Sequence, residues 1–240
     1  MYGIDSIFGR AELLVGGEAM ERMALTRVIV FGVGGVGSWC VEALVRSGIG
    51  HITIVDFDRV CESNVNRQLP ATRSTLGELK VEVLARRMRD INPDVDIVAR
   101  NEMYTADTAE GFRLGDYDYV IDAIDSLENK ALLIRRACEA GAATRLFSSM
   151  GAAMKLDPQR ISVTEFWNVK GDPLAAALRR RFKKSGEFPR RKFKCVYSDE
   201  LVRNRGEQPE GKRVNGTLAH ITAIFGFTLA SLVVRDIIAR

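Results

Sequence analysis

The sequence predicts an α/β fold with a doubly wound, Rossmann-like and mainly parallel sheet, a C-terminal extension and a long basic loop. Short β-branched runs alternate with longer amphipathic segments through residues 27–149. Strands separated by helices in this way imply right-handed parallel crossovers. The first run leads into a glycine-rich turn that opens a helical pattern, which is typical of such folds. A chain of 240 residues is close to the upper limit for one core, so a single domain over 1–240 is expected.

Each element is predicted from its periodicity and its flanking residues. Apolar, β-branched runs predict strands at 27–31, 51–55, 95–98, 117–121 and 144–149. Helical spacing of apolar residues, with Pro93 and Gly141 as stop signals, predicts helices at 36–47, 77–92 and 128–140.

After Met150 the pattern changes. A strand is predicted at 161–166 and a short helix at 173–184, beginning at its proline. Residues 185–216 are rich in Gly, Pro and basic residues, which predicts a long loop. We interpret 167–216 as a basic insertion within the single domain.

Composition excludes several classes of protein. With 46% hydrophobic and 28% charged residues, the chain is neither disordered nor fibrous. The four cysteines lie at 40, 61, 138 and 195 without a two-residue spacing, so we expect no zinc site and no disulfide. The N-terminus lacks a secretory pattern, which favours the cytoplasm. The uncharged stretch 218–234 is short for a membrane span, so we expect a buried or dimer-packed helix rather than stable membrane insertion.

A nucleotide-binding fingerprint follows the first predicted strand. Gly32, Gly34 and Gly37 fit the G-x-G-x-x-G spacing, with Gly35 between them, and Asp56 ends the next strand 19 positions later. The glycines allow the backbone to approach a phosphate at a helix N-terminus, and the acid accepts hydrogen bonds from ribose hydroxyls. The alternative is a glycine-rich turn without a ligand.

Polar residues after the second predicted strand distinguish ATP from nicotinamide. The segment 58–68 lies at the carboxyl edge of the sheet, where open sheets bind ligands, and it supplies the candidates Asp58, Ser63, Asn64, Asn66 and Arg67. Lys80 follows 13 residues after Arg67, so two cations can converge on one polyphosphate. The alternative is that both cations are solvated surface charges.

Two carboxylates follow the fourth predicted strand. Asp122 and Asp125 lie at the same edge, where a carboxylate facing phosphates favours a bridging magnesium ion. A turn or cap role is the main alternative for Asp122, and for Asp125 a helix N-cap and a metal ligand are both open. His51 and His220 do not follow strands, so a dehydrogenase would lack its usual acid–base histidine.

These motifs resemble the ubiquitin-activating-like adenylating superfamily over residues 10–149. They include the glycine turn with Ser38, the run 63–68, Lys80 and 122–125. The resemblance implies that Asp56 binds ribose, that Arg67 and Lys80 hold the ATP phosphates, and that Asp125 serves magnesium. It also implies a homodimer in which Arg10 reaches the partner's ATP.

Within that superfamily the chain is most similar to the tRNA threonylcarbamoyladenosine dehydratase family. The segments 121–126, 172–175, 195–198 and 223–227 are the branch-specific ones, and the paired C-x-x-C site of the sulfur-carrier activators is absent. The resemblance implies ATP-dependent dehydration of the modified adenosine in tRNA through carboxylate adenylation. The alternative enzyme adenylates the C-terminus of a ubiquitin-like sulfur-carrier protein, and a non-enzymatic nucleotide-sensing module is a third hypothesis. A monovalent-cation requirement and a cysteine desulfurase partner stay open.

A basic segment, defined as residues 179–194, carries most of the positive charge. It holds nine Lys or Arg residues and one acid, so the remaining 224 residues carry a net charge of −4 against a total of +4. Phe182, Phe188 and Phe193 lie between the cations, a pattern that favours phosphate contacts and base stacking on tRNA over a merely solvated charge run. The candidate tRNA contacts are Arg179, Arg180, Arg181, Lys183 and Lys184. Cys195 has two interpretations, a sulfur or acyl carrier and a small apolar packing residue.

Overall fold

One seven-stranded sheet organises the protein. The computed structural model describes residues 6–208, 210–211 and 214–240, and its strands lie in the order β3-β2-β1-β4-β5-β7-β6. Only β6 is antiparallel to its neighbour, β7. The strands are β1 (Arg27–Phe31), β2 (His51–Val55), β3 (Asp96–Arg100), β4 (Tyr119–Asp122), β5 (Arg145–Ser149), β6 (Ile161–Glu165) and β7 (Lys194–Ser198). The predicted doubly wound, mainly parallel sheet is therefore confirmed.

Helices cover both faces of the sheet. They are α1 (Gly9–Val15), α2 (Gly17–Leu25), α3 (Gly37–Arg46), α4 (Lys80–Ile91), α5 (Leu127–Glu139), α6 (Pro173–Ser185) and α7 (Ala219–Ile238). Val28 and Val30 of β1 point into the core formed with α3, α4 and α7. Ile29 and Phe31 point into a second core that includes residues of α5 and α6. Because β1 is buried on both faces, its sequence is a continuous apolar run rather than an alternating one.

The predicted loop at 185–216 is wrong in its middle, because it contains β7. Lys194–Ser198 pairs in parallel with β5 and antiparallel with β6. Two lysines and a phenylalanine precede the short apolar core of this strand, and this masks its period-two pattern. The interval 167–216 therefore holds α6 and the strand β7, which lies between β5 and the edge strand β6, and it is not a continuous loop.

The uncharged stretch near the C-terminus forms α7, which packs on α3. Gly226 permits the close approach, since a Cβ there would lie 2.5 Å from the Val36 carbonyl oxygen and 2.8 Å from Cys40 N. Ile221, Phe225 and Leu229 are fully buried. By length and composition α7 could span a membrane, yet half of the most apolar part of this helix is buried inside the protein. The packing matches the expectation of a buried helix.

Candidate nucleotide-binding site

The glycine turn, defined as residues 32–37, is shaped by contacts that exclude side chains. Gly32 has φ +82°, and a Cβ there would lie 2.7 Å from the carbonyl oxygen of Ala123. A Cβ on Gly37 would lie 1.8 Å from the carbonyl oxygen of Gly32. The turn joins β1 to the N-terminus of α3, so its backbone N–H groups and the helix dipole favour an anion there.

Asp56 is tied directly to this turn. Its Oδ2 accepts a hydrogen bond of 2.8 Å from Val33 N, and its Oδ1 accepts one of 2.9 Å from Asp58 N. Burial raises the pKa of this carboxyl, whereas the two backbone donors and the charge of Lys80 oppose the rise. Each oxygen keeps a second lone pair, so the fixed carboxylate can still accept hydrogen bonds from ribose hydroxyls.

Lys80 begins α4 and is almost completely buried. Its exposed fraction is 4%, and Nζ lies 2.7 Å from Asp58 Oδ2. A solvated surface charge, the alternative interpretation of this residue, is thus excluded. The ion pair links α4 to the segment after β2. In that segment the backbone N–H of Asp58 also donates to Asp56 Oδ1. Lys80 is therefore held by the same short network that binds the glycine turn.

Arg67 lies in the polar segment after β2, and its backbone is anchored from two directions. Its carbonyl oxygen accepts hydrogen bonds from Trp39 Nε1 at 3.2 Å and from Thr222 Oγ1 of α7 at 3.4 Å. The guanidinium donates to the carbonyl oxygen of Ser63 at 2.7 Å and to Asn66 Oδ1 at 2.9 Å. It is therefore oriented by its own segment and is not paired with a carboxylate among the described residues.

The two predicted amides play different parts in this segment. Asn64 is buried, and its Oδ1 accepts a hydrogen bond from Cys61 N, which caps the short turn Glu62–Asn64. Asn66 Nδ2 donates to the carbonyl oxygen of Thr217, just before α7. The neighbouring Gln68 is also buried and its Oε1 has no partner among the described residues. A Cβ on Gly34 would lie 3.5 Å from Gln68 Nε2, so this amide lies against the glycine turn.

The turn 122–126, which begins at the last residue of β4, holds the two predicted carboxylates in different environments. Asp122 is fully buried and lies 2.9 Å from Nζ of Lys130, which is also fully buried. Asp125 is exposed and forms no hydrogen bond with a described residue. Ser126 is the N-cap of α5, so the N-cap interpretation of Asp125 is wrong. Asp125 is therefore an exposed carboxylate at this edge of the sheet, with no partner among the described residues.

Known proteins resemble the chain along almost its whole length. The sequence pattern of the ThiF family matches residues 8–240. The tRNA threonylcarbamoyladenosine dehydratase of Escherichia coli is 37% identical, with 97% of this chain and 94% of that protein covered. The Bacillus subtilis protein of the same name is 42% identical over 80% of this chain and 74% of its own length. A crystal structure of the E. coli dehydratase in complex with ATP superimposes with a TM-score of 0.86 at 38% identity, covering 97% and 93% of the two chains.

The chain belongs to the ThiF family. The nucleotide fingerprint, the polar segment after β2 and the turn after β4 all lie within the residues that the family pattern matches. The glycine turn suits the close approach of a phosphate, and the unpartnered Gln68 Oε1 beside it can accept a hydrogen bond from a donor group of a polar ligand. The described residues contain no cluster of three or more His, Cys, Asp or Glu side chains able to hold a metal. A cation at Asp125 would need ligand phosphates and water to complete its coordination.

Arg10 of this ThiF-family chain lies away from the glycine turn. Phe8, two residues before Arg10, packs near Gly48, in the turn that leads into the amino end of β2. Asp56, by contrast, follows the carboxyl end of that strand. Arg10 is exposed and has no partner among the described residues. Within one chain the structure does not bring it to the predicted site.

The five predicted tRNA contacts lie on α6, but they are not equivalent. Arg179 donates to the carbonyl oxygen of Phe166, and Arg181 pairs with both carboxylate oxygens of Glu128 at 2.8 and 3.1 Å. The other three are exposed and have no partner among the described residues: Arg180, Lys183 and Lys184.

The predicted aromatic stacking surface is wrong for two of its three rings. Phe182 and Phe193 are buried and pack on Phe166, with ring centroids 6.0 and 5.0 Å away. Phe182 lies on the buried face of α6, and Phe193 directly precedes β7; both belong to the second core. Phe188 is exposed and lies 6.1 Å from the ring of Trp167.

Cys195 of β7 is a buried packing residue. Its side chain lies in the core of the second face, and burial raises the pKa of the thiol well above its usual value. A thiol that stays protonated and has no access to solvent is a poor carrier of sulfur or acyl groups. The packing interpretation is the one that the structure supports.

Sequence reasoning missed Lys130, the buried partner of Asp122. A signal was present, because Lys130, Leu133, Ile134 and Ala137 share one face of α5 at helical spacing. A lysine on an otherwise apolar stripe indicates a charge that the fold buries and must pair.

Proposed function

We propose that the protein catalyses ATP-dependent dehydration of N6-threonylcarbamoyladenosine in tRNA, with formation of an acyl-adenylate. The observation that supports this proposal is a glycine turn with Asp56 fixed against it, in a chain that matches the E. coli dehydratase over 97% of its length. The proposed nucleotide cradle consists of the glycine turn, Asp56, Lys80 and Asp125. The E. coli dehydratase has been crystallised with ATP and with AMP, which supports the same nucleotide chemistry here.

In the first step the threonyl carboxylate attacks the α-phosphorus of ATP. An oxygen–phosphorus bond forms as the bond to pyrophosphate breaks. Arg67 and Lys80 are assigned to the phosphate oxygens, where two cations stabilise the charge that grows on the departing group. Asp56 is assigned to the ribose hydroxyls, and the glycine turn positions the phosphates by backbone N–H groups. Lys80 is already held at 2.7 Å by Asp58, so it requires little reorganisation.

Magnesium is part of this proposal. Asp125 is the residue that would hold it, since its carboxylate is exposed and unpaired among the described residues. One carboxylate together with phosphate oxygens and water is an arrangement that suits magnesium. The ion would neutralise charge on the phosphates as pyrophosphate leaves.

In the second step the substrate closes on itself. A carbamoyl nitrogen attacks the activated acyl carbon, AMP leaves with the former carboxylate oxygen, and the nitrogen releases its proton. An intramolecular attack needs correct orientation more than a strong external nucleophile. The proposal therefore assigns no covalent role to Cys195, which is buried and has a raised thiol pKa.

Binding of tRNA is assigned to the exposed cations of α6. Arg180, Lys183 and Lys184 present three unpaired charges on one helix, and they are free to bind the phosphate backbone. A homodimer is proposed for a separate reason: the family resemblance assigns Arg10 to a partner's ATP, and Phe8, two residues before Arg10, lies near Gly48, before the amino end of β2 and away from its own glycine turn.

Mass analysis of nucleosides tests the proposed function. Modified tRNA is incubated with the protein, ATP and magnesium, and then digested. The expected result is loss of one water from threonylcarbamoyladenosine, with one AMP and one pyrophosphate formed for each water lost. Unchanged nucleoside mass, together with pyrophosphate exchange that requires a ubiquitin-like carrier protein, would instead support the sulfur-carrier alternative.

A further inference from the structure

A buried charge network lies directly behind the turn 122–126. Lys130 and Asp122 form an ion pair of 2.9 Å in which both side chains have no solvent exposure. Ser148 of β5 donates a hydrogen bond of 2.6 Å to Asp122 Oδ2. These groups are outside the set that the proposed mechanism uses. A fully desolvated ion pair requires an explanation, because its Coulombic attraction often fails to offset the cost of desolvation.

The network also fixes the backbone of the turn. Lys130 Nζ donates to the carbonyl oxygen of Ile124 at 3.0 Å, and Ile124 N donates to Asp122 Oδ1 at 3.2 Å. Both polar groups of the Ile124 backbone are thus bound by the ion pair. Asp125 is the next residue. The backbone position of Asp125 is therefore fixed, through Ile124, by Lys130 in the protein interior.

The same turn contacts the glycine turn on its other side. Ala123 N donates to the carbonyl oxygen of Phe31 at 2.9 Å, and the carbonyl oxygen of Ala123 would lie 2.7 Å from a Cβ on Gly32. A shift of Ile124 would therefore move Asp125 relative to the turn that holds the phosphates. Small displacements of this kind reduce rates strongly, because catalytic groups act only near their productive geometry.

We propose that Lys130 is a positioning residue for adenylation. Through Asp122 and the Ile124 carbonyl it holds the turn 122–126, and thereby Asp125, in register with the glycine turn. The proposal rests on the assignment of Asp125 under Proposed function. It concerns the rate of the chemical step rather than the affinity for ATP, because Lys130 has no solvent exposure and cannot contact a ligand.

The test compares Lys130→Met with Lys130→Gln. Methionine removes the charge and the donor, whereas glutamine keeps an N–H donor for the Ile124 carbonyl. Single-turnover water loss from modified tRNA is measured at saturating ATP and magnesium, and the ATP Kd is measured separately without tRNA. We expect the methionine variant to lose about 10- to 100-fold in rate, as for groups that orient a metal ligand, with an ATP Kd within about threefold of wild type. We expect the glutamine variant to recover part of the rate.

Two further variants separate positioning from folding. Asp122→Asn combined with Lys130→Met replaces the ion pair by a neutral pair, which restores a stable core without restoring the donor to Ile124. We expect this double variant to be folded by circular dichroism and still slow. Glu42→Gln breaks an ion pair between α3 and α4 and serves as the control, since it lowers the melting temperature without contacting the turn 122–126.

The outcomes distinguish the inference from the proposed function. Lys130→Met with a wild-type rate per folded molecule would overturn the positioning role, even if its melting temperature falls. Equal rate losses in Lys130→Met and Glu42→Gln would overturn it too, because both would then reflect stability alone. Absence of water loss with the wild-type protein would contradict the proposed function instead. In that case the magnesium concentration that gives half of the full thermal shift at saturating ATP still reports on Asp125: the same concentration in Lys130→Met and wild type counts against the inference.

Discussion

Two groups of cations in this molecule differ in burial: one lies at the carboxyl edge of the sheet, where the predicted nucleotide site is, and the other lies on α6. Lys80 and Lys130 are 4% and 0% exposed, and each is ion-paired to an aspartate of the carboxyl edge. Arg180, Lys183 and Lys184 are exposed and have no partner among the described residues. Formal charge is the same in both groups. The difference teaches that burial and ion pairing hold a cation in one orientation, whereas exposed, unpaired cations keep their full field towards solvent and any polyanion in it.

The largest effect is expected at Lys80. Lys80→Met removes a pre-oriented cation from the phosphate site, and loss of one such charge-stabilising group costs roughly 10²–10³ in rate. Single-turnover water loss at saturating ATP and modified tRNA measures it. Because the group is buried, the ratio of variant to wild-type rates should not change between low and high salt.

Lys155 provides the matched control for Lys80→Met. It is also buried, at 3% exposure, and donates to the carbonyl oxygens of Ser198 and Glu200. Lys155→Met is expected to lower the melting temperature and to keep the rate per folded molecule within about threefold of wild type. If both lysine variants lost the same factor in rate, burial alone would explain the effect and the comparison would fail.

The sequence could predict most of the fold around the glycine turn, because the patterns that predict it lie within short stretches of the chain. Gly32, Gly37 and Asp56 lie at fixed spacings within one strand–turn–helix–strand unit, and the structure places Asp56 against the glycine turn. Strands β1 and β2 are predicted to the residue. Lys80 is the first residue of its helix, three positions after the predicted start. The ion pair of Lys80 with Asp58 joins residues 22 positions apart, so no spacing rule identifies it.

The fold of the basic segment and of β7 is harder to predict, because burial of their side chains depends on residues that are distant in the sequence. The segment 194–198 is a strand because β5 and β6 lie on either side of it, not because of its own composition. Phe182 and Phe193 resemble exposed aromatics in a charged run, yet both pack on Phe166. Tertiary contacts therefore override the local pattern at these positions.

The second prediction concerns the exposed cations. Arg180→Glu, Lys183→Glu and Lys184→Glu combined should weaken tRNA binding by about 10- to 100-fold near physiological salt, because three phosphate contacts become repulsive. Each lost contact should also reduce the slope of log K against log salt by about 0.7–0.9. Filter binding over a range of salt concentrations measures both. At saturating tRNA the single-turnover rate should match wild type.

This choice of residues follows from the contacts of α6. Reversal of Arg179 or Arg181 would also break hydrogen bonds to Phe166 and Glu128, so altered folding would obscure the result. The control is Arg235→Glu, an exposed arginine near the end of α7 with no ion pair to a described residue. Equal weakening of tRNA binding by this control would place the contact elsewhere on the molecule.

A smaller effect is expected at Phe188, the exposed ring of the basic segment. Phe188→Ala should weaken tRNA binding by roughly fivefold to tenfold, which is the lower end of the range of about 1–3 kcal/mol that base–aromatic stacking contributes per base. The melting temperature should stay at the wild-type value, because the ring is 47% exposed. Phe193→Ala gives the opposite signature, a loss of about 3–5 kcal/mol in the free energy of unfolding from a buried aromatic site. Unchanged tRNA affinity in Phe188→Ala would limit the interface to the cations.

The smallest effect is expected at Glu42. Its ion-pair partners belong neither to the buried lysines at the carboxyl edge nor to the exposed cations of α6. Glu42 of α3 accepts hydrogen bonds from Arg87 Nε at 2.7 Å and from Arg46 Nε at 2.9 Å. Burial raises the pKa of this carboxyl, but the hydrogen bonds and charges of Arg87 and Arg46 outweigh burial, so the pKa is lowered overall. A lowered folded-state pKa contributes stability above the unfolded-state pKa, and this contribution is lost as pH falls through the folded-state pKa.

Glu42→Gln should therefore lower the melting temperature by a few degrees at pH 7, from a loss of roughly 1–3 kcal/mol for hydrogen bonds to a charged group. The difference between variant and wild type should shrink as pH falls from 7 towards about 3, because the wild-type carboxylate becomes protonated and loses the same interactions. Thermal denaturation of both proteins across this range measures the difference. A gap that stays constant with pH would mean that packing of the side chain, rather than its charge, joins α3 to α4.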